Sequence, residues 1–380
     1  MLTKSIKLKS FKKQKLQKNL KANLKEIIDN ENQIIKSLSR KYIDKYKISR
    51  IKTLVGKNDI RLIGMGGSIL GSKAIYQFLK DKIKKNFFFI DNLNLKRNKK
   101  KVANIVISKS GNTLETISNI NVLVKKSEKN IFITESKSSY IRTLAHKLKS
   151  EIIDHNNFIG GRYSVLSEVG MLPAELMGLD PKKFRQLDNL IKNRKFFNAL
   201  LSNTNSIFYL IKKKKFNSII LNYDQKSNYL FEWYQQLVAE SLGKKGKGIL
   251  PMISSMPKDN HSVMQLYLDG LRNNFFTFFY CNEKKTDKLI KTSLLKSYKF
   301  LGNYNINNII FNQKIATEKV FTKKNIPFRS FELKQRDEQT LGQLFCYFIL
   351  ETILLGKCLK VNPFDQPSVE LIKTETKKLF

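Results

Sequence analysis

Short apolar runs alternate with helical repeats along the first half of the chain. Each run is as short as a typical buried strand, and most are followed by apolar residues at helical spacing. Alternating strands and helices are typical of a parallel sheet that is covered on both faces. The runs that predict strands are Ile60–Gly66, Phe87–Asp91, Asn104–Ser110, Asn130–Glu135 and Glu151–Asp154.

The same alternation restarts in the second half of the chain. Long helical patterns cover Asn228–Gly243 and Gln339–Gly356. The restart predicts a second unit of the same class. The runs that predict its strands are Ser218–Asp224, Ile249–Met256, Phe275–Cys281, Asn308–Gln313 and Phe328–Leu333.

We therefore predict an α/β protein with two doubly wound parallel-sheet domains and a C-terminal helix. The chain of 380 residues is long enough for two hydrophobic cores. A helical pattern from Lys25 to Ile48 precedes the first strand. The expected units are an N-terminal helical segment (1–48), a first domain (49–185), a second domain (186–360) and a C-terminal helical arm (361–380).

The chain is strongly basic, with a formal net charge of +40. Such a charge suggests nucleic-acid binding. The lysines are scattered instead of forming one stripe with interleaved aromatic residues, and the sequence has no RNP motif or zinc finger. We expect weak, salt-sensitive association with polyanions and no specific nucleic-acid partner.

Cysteine usage and hydropathy indicate a soluble cytoplasmic protein. Cys281, Cys346 and Cys358 lack the C-x-x-C spacing and are expected to be reduced thiols. The most apolar run, Leu341–Leu355, is shorter than a membrane span and contains Glu351, so it predicts a buried helix. No pattern of a secretory signal is found, and we expect no membrane partner.

Two predicted strands end in loops that suit a small anion. The first is Gly64–Ser68, and the second, Ser108–Thr113, combines three hydroxyl groups with a lysine. Hydroxyl side chains can simply cap a helix, but a cap normally needs only one of them. A helix N-terminus also offers free N–H groups and a positive dipole end. The pairing of two such loops favours a phosphate monoester, held by Gly67, Ser68, Ser108, Lys109, Ser110 and Thr113.

The first of these loops also invites comparison with a dinucleotide-binding fingerprint. Gly64 and Gly66 follow a strand, and Asp91 ends the next strand, where a ribose-binding acid would lie. The third glycine of the fingerprint would fall at position 69, which is Ile69. The close helix–strand packing of that fold is therefore not supported.

Two segments supply an arginine and a carboxylate. Arg162 follows Gly160 and Gly161, which would let the backbone approach a substrate, although a surface arginine in a turn is the simpler alternative. A guanidinium stays protonated and suits a developing oxyanion. Gln236 and Glu240 share one face of a predicted helix. Glu240 falls in the last turn, where an acid opposes the helix dipole, so we expect a functional role.

Three further candidates lie near the end of the chain. His261 is one of three histidines and begins a predicted helix, where it serves either as a cap or as an acid–base group. Lys373 follows a turn that contains Gln366, and by itself it is a solvated lysine. No spacing typical of metal ligands is present, so we expect no metal. These groups suit cofactor-free proton transfer beside a carbonyl.

Taken together, the motifs resemble the glucose-6-phosphate isomerase (phosphoglucose isomerase) family in its compact bacterial type. The resemblance runs from about Ile60 to Lys373. It implies two sugar-isomerase domains, a homodimer, and interconversion of glucose 6-phosphate and fructose 6-phosphate in glycolysis and gluconeogenesis. The motifs are GMGGSILG, VISKSGNTLET, GGRYSVLSEVGMLP, QQLVAESLGKKGKG, MPKDNHSVMQLYLDG and NPFDQPSVELIK, in the order of the family.

The resemblance also implies a role for each candidate residue. Glu240 would move the proton between C1 and C2, and Arg162 would stabilise the cis-enediolate. His261, from the neighbouring subunit, and Lys373 would open the sugar ring. The other positions would bind substrate or its phosphate: Gly67, Ser68, Ser108, Lys109, Ser110, Thr113, Gly161, Gln236 and Gln366.

Two alternative functions remain open at this point. A bifunctional phosphoglucose/phosphomannose isomerase would have the same groups and would also accept mannose 6-phosphate. A non-catalytic sugar-phosphate-binding protein would keep the phosphate loops but would not need Glu240, Arg162 and His261 together.

Overall fold

The structure is a computed structural model of the chain. It describes residues 1–30, 32–93, 101–283, 286–287, 289 and 296–380. Two parallel sheets form its framework, each packed against helices. The described strands are β1 (Ile6–Lys9), β2 (Asp59–Ile63), β3 (Phe87–Ile90), β4 (Val102–Ile107), β5 (Lys129–Thr134), β6 (Glu151–Asp154), β7 (Asn217–Asn222), β8 (Leu250–Ser255), β9 (Asn274–Cys281) and β10 (Phe328–Leu333).

Helices follow most of these strands and cover the sheets. In the described ranges they are α1 (Leu20–Asp29), α2 (Gln33–Ser37), α3 (Ile48–Val55), α4 (Leu70–Phe78), α5 (Leu114–Leu123), α6 (Tyr140–Lys147), α7 (Glu168–Leu176), α8 (Pro181–Phe184), α9 (Leu187–Leu190), α10 (Arg194–Lys212), α11 (Asn228–Leu242), α12 (Met264–Asp269), α13 (Ile306–Lys323), α14 (Glu338–Leu359) and α15 (Pro367–Lys377).

The strand orders place the two loops that suit a small anion, Gly64–Ser68 and Ser108–Thr113, side by side. Among the residues that the structure describes, the first sheet has the order β3-β2-β4-β5-β6 and the second the order β1-β10-β9-β7-β8. All pairs in the first sheet are parallel, and β2 lies next to β4. The loops that follow β2 and β4 therefore leave the same sheet edge, where open α/β sheets bind ligands. The predicted fold class is confirmed.

The N-terminal segment is not purely helical, which corrects that expectation. Its strand β1 pairs antiparallel with β10, with Ile6 opposite Leu333 and Lys9 opposite Ser330. In β1, buried Ile6 and partly buried Leu8 alternate with exposed Lys7 and Lys9. This two-residue period was the available signal, and the pairing covers an edge of the second sheet. The domain boundaries as a whole stay a prediction.

The strand predicted at Asn308–Gln313 is wrong, because these residues lie inside helix α13. A short apolar run cannot distinguish a strand from a buried helical turn. The start of the helix is fixed by Asn305, whose side chain accepts from the Asn308 backbone N–H, while the Asn308 side chain accepts from the Asn305 backbone N–H. This reciprocal capping satisfies two donors that a helix end leaves free.

Helix α14 is the buried helix that the apolar run predicted. By length and composition alone it could cross a membrane, but 89% of its apolar window is buried within the protein. Its interrupting acid, Glu351, forms a buried ion pair with Arg329 of β10, and it also accepts from the Tyr347 hydroxyl at 3.1 Å. The carboxylate therefore has partners inside the core, as a buried charge requires.

Candidate functional site

The loops after β2 and β4 meet at the sheet edge. An added Cβ at Gly64 would lie 3.0 Å from the Ile107 carbonyl oxygen and 3.1 Å from the Ser68 Cβ. The Gly64–Ser68 loop is thus packed directly against the end of β4, which leads into Ser108. The structure brings these two predicted phosphate-binding loops together.

The Gly160–Arg162 segment packs against the first of these loops. A Cβ at Gly67 would lie 2.1 Å from the Gly161 carbonyl carbon and 2.5 Å from the Arg162 backbone nitrogen. No side chain fits in this gap, so residue 67 must be glycine for the two backbones to approach. This contact places Gly67 and Ser68 directly beside Gly161 and Arg162.

The hydroxyl groups of the Ser108–Thr113 loop face one another. The Ser108 and Thr113 hydroxyls lie 3.1 Å apart, and Ser108 accepts from the Gly111 backbone N–H at 3.2 Å. Ser110 is exposed and accepts from the Asn112 N–H. Thr113 occupies the N-cap position of α5, yet among the described contacts its side chain makes no capping hydrogen bond. The capping explanation therefore does not account for Thr113.

Gly111 gives the second loop its shape. Its φ of +66° lies in the left-handed region, and a Cβ there would lie 2.1 Å from the Ser139 hydroxyl oxygen. The adjacent Asn112 side chain accepts from the Tyr140 N–H at the start of α6. The loop is thus held against the start of α6. Ser108, Ser110 and Thr113 are the hydroxyl residues of the loop held in this way.

Lys109 differs from its expected orientation. Its ammonium donates to the Asn157 carbonyl oxygen at 2.8 Å and lies 3.6 Å from the Glu135 carboxylate. Burial lowers the pKa of Lys109, and the charge of Glu135 opposes this effect. The ammonium already has partners beyond the loop, so its role as a phosphate ligand stays a prediction that requires it to turn.

Arg162 is buried, which excludes the alternative of a surface arginine in a turn. It is 2% exposed and lies between α11 and the segment before α15. Its Nη1 donates to Glu240 Oε1 at 2.9 Å and to Gln366 Oε1 at 2.8 Å. Its Nη2 donates to the carbonyl oxygens of Pro363 and Asp365 at 2.7 and 3.1 Å. These contacts hold the guanidinium in one orientation.

Glu240 lies in the last turn of α11, as the sequence predicted. One carboxylate oxygen accepts from Arg162, and the other accepts from Gln236 Nε2 at 2.9 Å. The carbonyl oxygen of the Gln236 side chain is buried and has no hydrogen-bond partner among the described residues. The carboxylate is therefore fixed on both sides, beside an amide oxygen that can still accept.

A wide, open cleft of about 660 Å³ lies beside Gln236 and Ala239, which precede Glu240 in α11. It lies between the two domains and is lined by residues of the first loop, α4, α11 and β8, including Gly66, Gln236 and Ala239. Gly66 approaches the Gln236 amide closely, since a Cβ there would be 3.0 Å from Nε2. The cleft thus connects the first loop to the helix that carries Glu240.

His261 and Lys373 are not brought to this group. His261 ends a short 3₁₀ turn, Lys258–His261, ahead of α12, and it is exposed. Its imidazole has no hydrogen-bond or ion-pair partner in the described part of the chain. Lys373 lies on the exposed α15 and pairs with Glu370 at 2.7 Å. The roles expected for these two residues in ring opening stay predictions.

Sequence reasoning missed several residues that hold the site together. Ser241 accepts from Arg162 Nε at 2.8 Å, and Tyr163 contacts both Ser241 and the Pro363 carbonyl oxygen. Lys244 pairs with Asp365 at 2.8 Å and so ties α11 to the segment ahead of α15. Tyr163 directly follows Arg162, and Ser241 directly follows Glu240. This closeness in sequence was the only signal available for them.

Within the described ranges, no group of three or more His, Cys, Asp or Glu side chains could hold a metal ion. The predicted site residues that do cluster are instead hydroxyls, one carboxylate, one guanidinium and two amides. Such a set can bind an anion and move a proton beside a charge that develops.

Comparison with known proteins connects this geometry to one family. A sequence model of phosphoglucose isomerase matches residues 10–250. The chain belongs to the phosphoglucose isomerase family. It is 33% identical to the glucose-6-phosphate isomerase of Methanocaldococcus jannaschii over 86% of this chain and 84% of that protein. It is 32% identical to the Acholeplasma laidlawii glucose-6-phosphate isomerase over 87% of this chain and 86% of that protein.

A solved structure shows the same fold. The crystal structure of a glucose-6-phosphate isomerase from Chlamydia trachomatis aligns with a TM-score of 0.72 at 17% identity, covering 95% of this chain and 83% of that one. At this identity the likeness concerns the fold alone. The family membership rests on the sequence matches, which extend over both domains.

Proposed function

We propose that this protein is a cytoplasmic glucose-6-phosphate isomerase, which interconverts glucose 6-phosphate and fructose 6-phosphate in glycolysis and gluconeogenesis. The observation that carries this proposal is the carboxylate of Glu240, held between the Arg162 guanidinium and the Gln236 amide, next to a cleft that Gln236 and Gly66 of the first loop line. Family membership supports it, since relatives named glucose-6-phosphate isomerase match most of the chain.

The phosphate group would bind where the loops after β2 and β4 meet. The hydroxyls of Ser68, Ser108, Ser110 and Thr113 supply donors there, and the N–H groups in the first turn of α5 add to them. Helix N-termini favour anions through these groups and through the dipole. This placement orients the sugar chain towards the cleft beside Glu240.

Glu240 would act as the base. In its ionised form it removes the proton from C2 of the open-chain aldose, and the electron pair forms the C1–C2 double bond while the carbonyl oxygen becomes the enediolate oxyanion. The O2 hydroxyl proton then moves to O1, and as the O2 oxyanion forms the C2 carbonyl, the C1–C2 double-bond pair takes the proton back from the same carboxyl group at C1, which gives the ketose. No atoms are gained or lost, and the single base serves both steps.

Arg162 would stabilise the enediolate. All five of its N–H groups have acceptors in this structure, and Nη1 donates to Glu240 and Gln366. A developing oxyanion would therefore take over an N–H that is now directed at Glu240 or Gln366. A guanidinium that is already held in one orientation stabilises such a charge more than a mobile one does.

The ring-opening groups would come from a homodimer. His261 and Lys373 are exposed and lie apart from Arg162 in the single chain. Helix α15 has no buried residue, and its apolar side chains Leu371 and Ile372 are 69% and 70% exposed. A second copy that covers this helix and supplies its His261 to the first copy's cleft would complete each site.

The decisive experiment is an assay of the purified protein with fructose 6-phosphate, in which a coupling enzyme reports glucose 6-phosphate. We expect turnover without added metal and in the presence of a chelator. A parallel assay with mannose 6-phosphate decides whether the enzyme is bifunctional. Binding of sugar phosphates without any turnover would reject the isomerase proposal and favour the non-catalytic sugar-phosphate-binding protein.

A further inference from the structure

We infer that Ser241 is a positioning residue, which sets the orientation of the Arg162 guanidinium for the enediolate through a one-directional chain of hydrogen bonds that ends at Pro363. This inference rests on the isomerase function proposed above. Ser241 directly follows Glu240 in α11 and is fully buried. It lies behind the guanidinium, away from the cleft.

The direction of the chain follows from counting protons. The Tyr163 hydroxyl donates its single proton to the Pro363 carbonyl oxygen at 2.9 Å, because a carbonyl can only accept. The Tyr163 oxygen must then accept from the Ser241 hydroxyl at 2.8 Å. Ser241 has its oxygen left to accept the Arg162 Nε–H, also at 2.8 Å. Each bond thus fixes the direction of the next.

The chain of hydrogen bonds and two backbone carbonyls hold the side of the guanidinium that faces away from Glu240. Nε donates to Ser241, and both N–H groups of Nη2 donate to backbone carbonyls. Only Nη1 faces Glu240, the proposed base, and Gln366. A planar fork that is fixed at Nε and Nη2 cannot rotate, so its Nη1 remains directed at the reacting atoms.

The position of Ser241 in α11 couples the guanidinium to the base. Adjacent helical residues point about 100° apart, so Glu240 reaches the cleft while Ser241 reaches the buried side of Arg162. One helical turn therefore holds both Glu240 and the anchor of Arg162. Loss of the anchor would change the charge stabilisation and, through Nη1, one of the two hydrogen bonds that hold Glu240, while the phosphate loops stay in place.

The alternative is that Ser241 merely fills space in the helix. A buried serine that serves only its own helix usually bonds the carbonyl four residues earlier. Among the hydrogen bonds of the described residues, the Ser241 hydroxyl bonds Arg162 and Tyr163 and not the Leu237 carbonyl. Its partners thus belong to the site.

The test is the variant Ser241→Ala. Removing the acceptor leaves a buried N–H of Arg162 unsatisfied and frees the fork to tilt, so kcat should fall by roughly 10-fold to 100-fold. KM for fructose 6-phosphate should stay within about twofold, because the phosphate contacts are elsewhere. Ser241→Thr, which keeps the hydroxyl, should recover most of kcat.

A pair of inhibitors separates positioning from a general structural defect. A phosphorylated sugar acid carries its carboxylate charge where the enediolate develops charge, whereas inorganic phosphate occupies only the phosphate site. Ser241→Ala should weaken the sugar acid by about the same factor as kcat and leave inhibition by phosphate unchanged. Equal weakening of both inhibitors, or a wild-type kcat in the folded variant, would overturn the inference.

Two further variants complete the design. Ser206→Ala removes a buried serine hydroxyl from α10, remote from the site, and should leave kcat unchanged. If Ser241→Ala does not fold, Tyr163→Phe decides: without the Tyr163 acceptor, kcat should fall several-fold with phosphate inhibition intact, and an unchanged kcat would overturn the inference. A wild-type protein that lacks isomerase turnover would reject the proposed function itself, before any variant is compared.

Discussion

The two halves of the proposed site differ in how their charged groups are held. The inner half consists of Arg162, Gln236 and Glu240, which bond one another at 2.9 Å and lie against buried backbone. The outer half consists of His261 and Lys373, which are exposed and contact neither Arg162 nor Glu240 in the described chain. The inner half is thus assembled within one described chain, whereas the outer half is not joined to it there.

The difference reflects the cost of burying charge. A buried guanidinium without acceptors would cost several kcal/mol, so Arg162 is folded together with its partners. An exposed lysine or histidine is solvated by water and needs no partner for folding. The inner half is thus fixed by the fold of one chain, whereas the outer half depends on what covers it.

The largest effect is expected in the inner half. Glu240→Gln keeps the shape of the side chain but removes the base, so kcat should fall on the order of 10²–10⁴-fold while substrate still binds. Incorporation of solvent deuterium at C2 should fall in parallel. Near-normal exchange in the variant would contradict the assignment of Glu240.

Glu175→Gln is the matched control for this variant. It makes the same chemical change in the last turn of another helix, α7, at a carboxyl whose pKa is raised by burial and which does not line the cleft. Its kcat should remain close to that of the wild type. A loss comparable to that of Glu240→Gln would show that the enzyme is sensitive to this kind of change in general, and not to the loss of the base.

The outer half is tested by combining chains. Glu240→Gln and His261→Ala should each be nearly inactive as homodimers. After mixing, unfolding and refolding, about half of the dimers are mixed and carry one site with both lesions and one with neither, so about a quarter of wild-type activity should return. If His261 served Glu240 of its own chain, every site would carry one lesion and mixing would restore nothing.

The phosphate loop should give an intermediate effect. Ser110→Ala combined with Thr113→Ala removes two donors to a charged group, each worth roughly 1.5–3 kcal/mol, so KM should rise by at least about tenfold while the inner half keeps its geometry. Inorganic phosphate should inhibit the double variant less than the wild type. Ser118→Ala, an exposed hydroxyl later in α5, serves as the control. An unchanged KM would contradict a phosphate-binding role for these two hydroxyls.

The smallest effect concerns the anchoring of the inner half at low pH. Glu168, fully buried, accepts from the Asn156 N–H and pairs with His155, whose other ring nitrogen contacts the Ile159 carbonyl just ahead of Gly160. Burial alone would raise the pKa of Glu168, but the hydrogen bond and charge of His155 outweigh burial, so that pKa lies below its ordinary value of 4.5.

A depressed pKa in the folded state means that the ionised form of Glu168 stabilises the fold. This stability is present above the ordinary pKa and is lost as pH falls through the lower, folded value. Glu168→Gln should therefore be less stable than wild type near neutral pH, and the gap should narrow below about pH 4.5. Urea midpoints between pH 7 and pH 3 measure this, with the exposed Glu375→Gln as control. A gap that does not change with pH would contradict the role of the ionised carboxylate.

Much of the framework could be predicted from the sequence. The apolar runs at β4 and β9 are nearly continuous, as parallel strands buried on both faces require. Two elements were predicted wrongly, each for a local reason. Two of the four residues of β1 are exposed lysines, which hides the strand pattern. The apolar run in α13 is too short to distinguish a helical period from that of a strand.

The candidate site was predictable where residue type and position were both unusual. Glu240 in a last helical turn and hydroxyls after a buried strand conflict with local preference, and both lie in the site region. Ser241 and Tyr163 have no such conflict, because a serine or tyrosine in an apolar segment is ordinary packing. Their hydrogen bonds to a residue 78 or more positions away appear only once the chain is folded.

The sequence by itself determined the class of fold, the two anion-suited loops and the acid–base candidates, since these depend on periodicity and on the chemistry of single residues. Only the tertiary structure decided that Arg162 is buried with all five donors used, that Lys109 faces Glu135, and that His261 has no side-chain partner among the residues that the structure describes. The physical reason is that burial and hydrogen-bond direction depend on which distant segments pack together, and no local pattern encodes that packing.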